Sequence, residues 1–127
     1  MKYGYTKETT LPFTEAVTKV RETLANEGFG ILTEIDVKAA MKKKLDVDYD
    51  NYLILGACNP PFAHKALQVE KEIGLLLPCN VLVYESDGKV YVSAILPTVG
   101  MNMAESDALR SIATEVEEKL KAAIDGV

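Results

Sequence analysis

Two cysteines and a single histidine stand in one stretch of the chain, Ala57 to Val83, which reads ACNPPFAHKALQVEKEIGLLLPCNVLV. Cys58, His64 and Cys79 are therefore the residues from which thiol chemistry, soft-metal binding or proton transfer near neutral pH would be built. Their spacing is Cys-x5-His-x14-Cys. A closed structural zinc site takes four ligands and usually a tight Cys-x2–4-Cys pair, and no such pair is present. What remains for a soft divalent ion such as zinc is Cys58, His64 and Cys79, with Glu70, Glu34 or Met101 to complete the set. A Cys-x-x-Cys redox motif, a Gly-rich phosphate loop, a nucleophile elbow and a His-Glu-x-x-His helix are all missing.

Each candidate also has a plainer reading. Free cysteine usually serves as a small apolar filler. His64 follows Asn59-Pro60, an N-cap acceptor and a proline at the first helical position. At about 100° per residue, Phe62, Ala66, Val69 and Ile73 share one helix face and His64 falls opposite, beside Gln68 and Lys71. It is either an exposed helix residue or a neutral base leaning over the strand ends beside Cys58. Glu70 falls inside the apolar arc, so it finds donors there or a bend carries it to solvent. Glu34 is expected to face water, from a strand in which Ile31, Thr33 and Ile35 point one way and Leu32, Glu34 and Asp36 the other. Leu96 to Met103 reads as a loop whose methionines cover the core or form an adaptable pocket rim.

The elements that position these groups follow from periodicity. Residues 2–10 are rich in Tyr and Thr and read as a strand. Pro12 opens a helix with Phe13, Val17, Val20 and Leu24 on one stripe, and Gly28 suits a left-handed stop. Residues 29–37 form a second strand and 38–45 a short helix. Tyr52 to Cys58 is apolar throughout and reads as a central strand. The helix after Asn59 is expected to run to Ile73, with Gly74 as its stop. Residues 79–86 and 89–96 are strands joined by Ser86-Asp87-Gly88, a strong hairpin signal. A last helix over 105–124 carries Leu109, Ile112, Ala113, Val116, Leu120, Ala123 and Ile124. This order predicts an α+β domain, with helices packed on one face of a mainly antiparallel sheet. Cys58 ends the third strand and Cys79 begins the fourth, so antiparallel pairing brings the thiols to one end of the sheet.

A length of 127 residues suits a single domain, 1–127. The formal net charge of −5 and the want of a basic run argue against nucleic acid. Lys42-Lys43-Lys44 is flanked by Asp46, Asp48 and Asp50 and reads as a solvated helix end. No apolar run approaches the ~20 residues that span a bilayer, and the N-terminus lacks the apolar core of a signal peptide. No membrane association is expected. Two cysteines without a secretory signal point to the cytoplasm, with free thiols.

The segments ACNPPFAHKAL and IGLLLPCNVLVYE, with FGILTEIDV upstream and a proline-to-methionine loop after the last strand, resemble the DUF302 family along nearly the whole chain. The motif falls here on Cys58, Asn59, Pro60, His64, Gly74, Pro78, Cys79 and Asn80. The resemblance implies a fold of the TATA-binding-protein-like topological class, a β-α-β(4)-α core with an extra helix between the third and fourth strands. It also implies a homodimer. It implies no activity, and fold alone assigns none.

Three functions are then open. One is a small-ligand or metal-binding module, with a thiol-redox link, using Cys58, His64 and Cys79 with Glu70, Glu34 and Asn59 around them; it predicts a pocket at the strand ends and a low-pKa thiol. The second is a structural or regulatory homodimer without catalysis, with buried inert thiols. The third is an enzyme with a cysteine nucleophile and a histidine base, which requires sulfur and imidazole within hydrogen-bond reach.

Overall fold

Alternating apolar positions build the sheet. In a computed structural model, which describes residues 2–127, the strands are β1 Gly4–Thr9, β2 Gly30–Asp36, β3 Tyr52–Cys58, β4 Cys79–Ser86 and β5 Lys89–Ile95. They form one five-stranded sheet in the order β1-β5-β4-β3-β2, antiparallel throughout. The helices are α1 Phe13–Asn26, α2 Val37–Leu45, α3 Pro60–Val69, α4 Pro97–Met101 and α5 Asp107–Asp125, with 3₁₀ turns at Lys71–Leu76 and Asn102–Ala104.

Residues opposite one another in a ladder share a face. Leu53, Leu55 and Ala57 of β3 stand opposite Val83, Val81 and Cys79 of β4, and Val81 and Val83 stand opposite Ala94 and Val92 of β5. Onto this face α1 lays Ala16, Val20 and Leu24, and α5 lays Val116, Leu120, Ala123 and Ile124, all buried. Each large aliphatic side chain so buried contributes ~1.5–3 kcal/mol. The expected α+β architecture, with helices on one face, is what the chain forms. The opposite face keeps Tyr52, Ile54, Leu82, Tyr84, Tyr91 and Ile95 only half-buried.

Local signals set most boundaries. Asp87 and Gly88 adopt positive φ of 51° and 77°, the double left-handed turn that Asp-Gly permits between twisted strands. Gly28 stops α1 at φ +88°. Ser106 caps α5 by accepting from the Leu109 amide at 3.3 Å.

Three expectations fail for physical reasons. The helix after Asn59 ends at Val69, not Ile73: Glu70 is extended at φ −152° and ψ 120°, and the chain then recoils into the 3₁₀ turn. That reversal buries Ile73 at 2% exposure and leaves Gly74 inside the turn instead of stopping a helix. The segment after β5, expected as a loop, contains α4. In β2 the register shifts between Ile31 and Thr33, so Ile31 lies opposite Ala57 but Glu34 lies opposite Leu55. The bulge breaks the expected alternation and puts Glu34 on the helix-covered side, where it is nonetheless exposed, as expected. Among the described residues, no helix is long and apolar enough to cross a membrane.

Candidate functional site

The ladder pairs Ala57 with Cys79, so Cys58 and Cys79 meet where β3 ends and β4 begins. Both are free thiols, each half-buried. They stand in the wall of one apolar cavity of about 430 Å³ of atom-free space, part of it open to solvent. Phe29 contributes from just before β2. Helix α3 contributes Phe62, Ala63 and Ala66, and α5 contributes Ile112, Ala113 and Val116. Leu77, Pro78, Pro97 and Met101 form the rest of the cover. Asn59 is the sole other polar side chain in the wall.

Two backbone devices hold this end of the sheet. At Gly56 an added Cβ would lie 2.1 Å from Thr33 Oγ1 and 2.8 Å from Pro78 Cγ. Only glycine lets β2 and the Leu77-Pro78 segment, joined by a cis peptide, close over β3. Asn59 occupies the N-cap position of α3 but makes no capping bond. Its Nδ2 instead donates to the Glu27 carbonyl at 3.1 Å, tying α3 to the end of α1. Asn59 is 8% exposed, so this is an internal brace.

The other sequence candidates lie elsewhere. His64 is exposed and is not part of the cavity wall. Phe62, Ala63 and Ala66 take the inward face of α3, which leaves His64 on the outward one, as its helical position requires. Glu70 turns to solvent because the helix stops before it. Glu34 is exposed and forms an ion pair with Arg21 of α1. The metal set of Cys58, His64 and Cys79 is therefore not assembled: among the described residues no three His, Cys, Asp or Glu side chains gather to hold an ion. The same placement of His64 leaves the thiols without an imidazole base in the cavity. Met101 is 7% exposed and both covers the core and lines the cavity, whereas Met103 points outward at 72%.

The comparisons with known proteins agree on the family. A family model described as "Domain of unknown function DUF302" matches residues 5–127. The chain belongs to the DUF302 family. A solved structure, the uncharacterized conserved DUF302 protein from Bacillus stearothermophilus, is similar with 30% identity and a TM-score of 0.92 over 98% of each chain. No curated protein matches the chain.

For this DUF302 protein the chemistry must come from the groups themselves. Burial, and secondarily the nearby Cys58, push the Cys79 thiol up to about 11. A thiol so raised is protonated at neutral pH and is a poor nucleophile. The low-pKa thiol expected of an activated site is thus not found at Cys79. The cavity can exclude water and hold an apolar molecule against sulfur and aromatic edges. Sequence reasoning found its two thiols, Asn59 and Met101, but missed Phe29, Pro97 and the α5 contribution. Those come from elements distant in sequence, and only the fold brings them to the strand ends.

Proposed function

We propose that this protein binds a small apolar molecule in the cavity where β3 meets β4, with Cys58 and Cys79 in its wall. The observation that carries the reading is the composition of that wall: apolar throughout apart from two thiols and an asparagine already bonded elsewhere. Ligand sites are typically clefts of this kind, largely apolar with few polar groups. Two free cysteines at one strand end suit a reducing compartment, the cytoplasm.

The test is alkylation of Cys79 by iodoacetamide at pH 9, followed by mass spectrometry, with and without 1-hexanol. The probe slows labelling in the native protein. In Ala63→Phe, where the new ring occupies the cavity, the probe has no effect. Labelling indifferent to hexanol at concentrations that leave the protein folded would overturn the reading.

A second reading, a homodimer, is favoured by the other face of the sheet. Tyr52, Tyr84 and Tyr91 stack across β3, β4 and β5 with ring centroids 5.4 and 5.2 Å apart. Ile54 and Leu82 follow Tyr52 and Tyr84 on the same face of β3 and β4. The charged side chains of that face, by ladder parity, are Glu8 and Lys89, which lie 3.8 Å apart as an ion pair. In a chain of net charge −5, a face without net charge and with a row of stacked tyrosines suits a second copy of itself. Five strands about 4.8 Å apart and roughly 20 Å long give a footprint of about 500 Å² per copy, at the lower bound for a specific interface. Light scattering at about 100 µM should give a dimer mass, and Tyr84→Glu should give a monomer of unchanged circular dichroism. A monomeric wild type would end this reading.

A further inference from the structure

The thiol cavity has a neighbour. A second, larger cleft of about 730 Å³, part of it open to solvent, shares Leu77, Pro78, Cys79, Pro97 and Met101 with the inner one. Cys79 therefore borders both spaces at the end of the sheet. The outer part runs between the 3₁₀ turn and α4, and adds Leu75, Leu76, Asn80, Ile95 and Gly100 to the wall. Its rim is apolar: Leu75 is 84% exposed and Leu76 37%. No charged side chain lines either part.

We infer that the two spaces join past Cys79 and that the ligand is an unbranched alkyl chain ending in a neutral polar group, as in a medium-chain alcohol. This rests on the proposed apolar-ligand reading and extends it. A flexible chain can follow the bend and the narrow inner space, where a fused ring system cannot. Apolar contact along the whole path rewards length, because each buried methylene adds its own transfer energy. The lack of a lysine or arginine in the wall leaves a carboxylate head without a partner inside, which disfavours a charged end. Asn80, exposed on β4, offers the amide that a hydroxyl can bond at the mouth.

The experiment is a homologous series, 1-butanol to 1-decanol, measured by protection of Cys79 from iodoacetamide in the wild-type protein and in Gly100→Phe. At Gly100 an added Cβ would meet only Leu76 Cδ1, at 4.0 Å, so a side chain there fits and plugs the outer cleft. In wild type the half-protecting concentration falls about fourfold per added methylene along the series. In Gly100→Phe the gain breaks off at a shorter chain. Matching carboxylates protect at least tenfold more weakly than the alcohols. If short alcohols protect but the gain stops at the same length in both proteins, the extended-chain inference falls and the apolar-ligand reading stands. If no alcohol protects, both fall. Carboxylates that protect as well as alcohols would overturn the neutral end group. Should Gly100→Phe fail to fold, the wild-type series decides alone: a gain that ends at butanol overturns the inference, and one that continues to decanol supports it.

Discussion

Asn59 reaches across 32 positions of sequence to donate its side-chain amide to the backbone carbonyl of Glu27, at 3.1 Å. The bond joins the turn that ends α1 to the turn that begins α3, and both turns border the cavity. Gly28 lies against it: an added Cβ there would stand 3.2 Å from the same nitrogen, on a backbone already at φ +88°. Asn59→Ala removes the donor and leaves the carbonyl without its partner. The expected cost is ~1–2 kcal/mol, read as a lower midpoint in urea with unchanged slope. An unaltered midpoint would show that the bond contributes nothing.

Gly56 sits beneath Thr33 and Pro78 with no room for a methyl group. Gly56→Ala drives the new Cβ into Thr33 Oγ1, 2.1 Å away, and Pro78 Cγ, 2.8 Å away. Relief requires β2 or the Pro78 segment to move, and overpacking of this kind costs ~1–3 kcal/mol. Thr33→Ala removes the nearer obstacle, so the double variant should recover part of the loss. Double-mutant-cycle stability measurements check this. Strict additivity would mean that the two residues do not press on each other.

How much of this was legible in the sequence depends on the range of the cause. The Asp87-Gly88 hairpin and the apolar β3 were legible because turn chemistry and alternation act locally. His64 was placed on the outward face of its helix by wheel geometry, and it stands there. The end of that helix was not legible: Val69 and Glu70 carry no stop signal, and the reversal serves to bury Ile73 against Met101 and Leu109, residues far along the chain. The side taken by Glu34 depended on a bulge that alternation cannot reveal. Asn59 looked like a local cap because the sequence shows the nearby amides and not Glu27. The same limit applied to the cavity, whose thiols were foreseen but whose walls come from five elements.

The Cys79 thiol ties stability to alkaline pH. Burial first, and the nearby Cys58 second, raise it from 9.0 to about 11. The folded thiol therefore keeps its proton where the unfolded one has lost it. Its contribution is fully present below about pH 9 and is lost as pH rises through about 11, amounting to about 2–3 kcal/mol. Tyr52, raised by burial and then by Tyr49, Tyr84 and Tyr3, acts in the same direction and stays in the background. Urea unfolding at pH 8 and pH 10.5 should show a smaller alkaline loss for Cys79→Ala than for wild type. Equal losses would mean that this thiol is not protonated in the folded state over that range.

Glu117 of α5 holds the cover of the cavity in place. Its Oε1 accepts from the Thr98 backbone amide at 3.2 Å and from the Thr98 hydroxyl at 2.6 Å, and the side chain is only 15% exposed. A carboxylate thereby satisfies a first-turn amide of α4, the helix that carries Pro97 and Met101 over the thiols. Glu117→Ala frees that short helix while the core formed by α1, α5 and the sheet stays packed. Local opening is then easier than global unfolding. Alkylation of Cys79 in native protein should accelerate at least tenfold, while urea stability falls by only ~1–3 kcal/mol. Glu117→Gln keeps an acceptor oxygen without the charge and should lie between the two. An unchanged labelling rate in Glu117→Ala would show that α4 does not control access to Cys79.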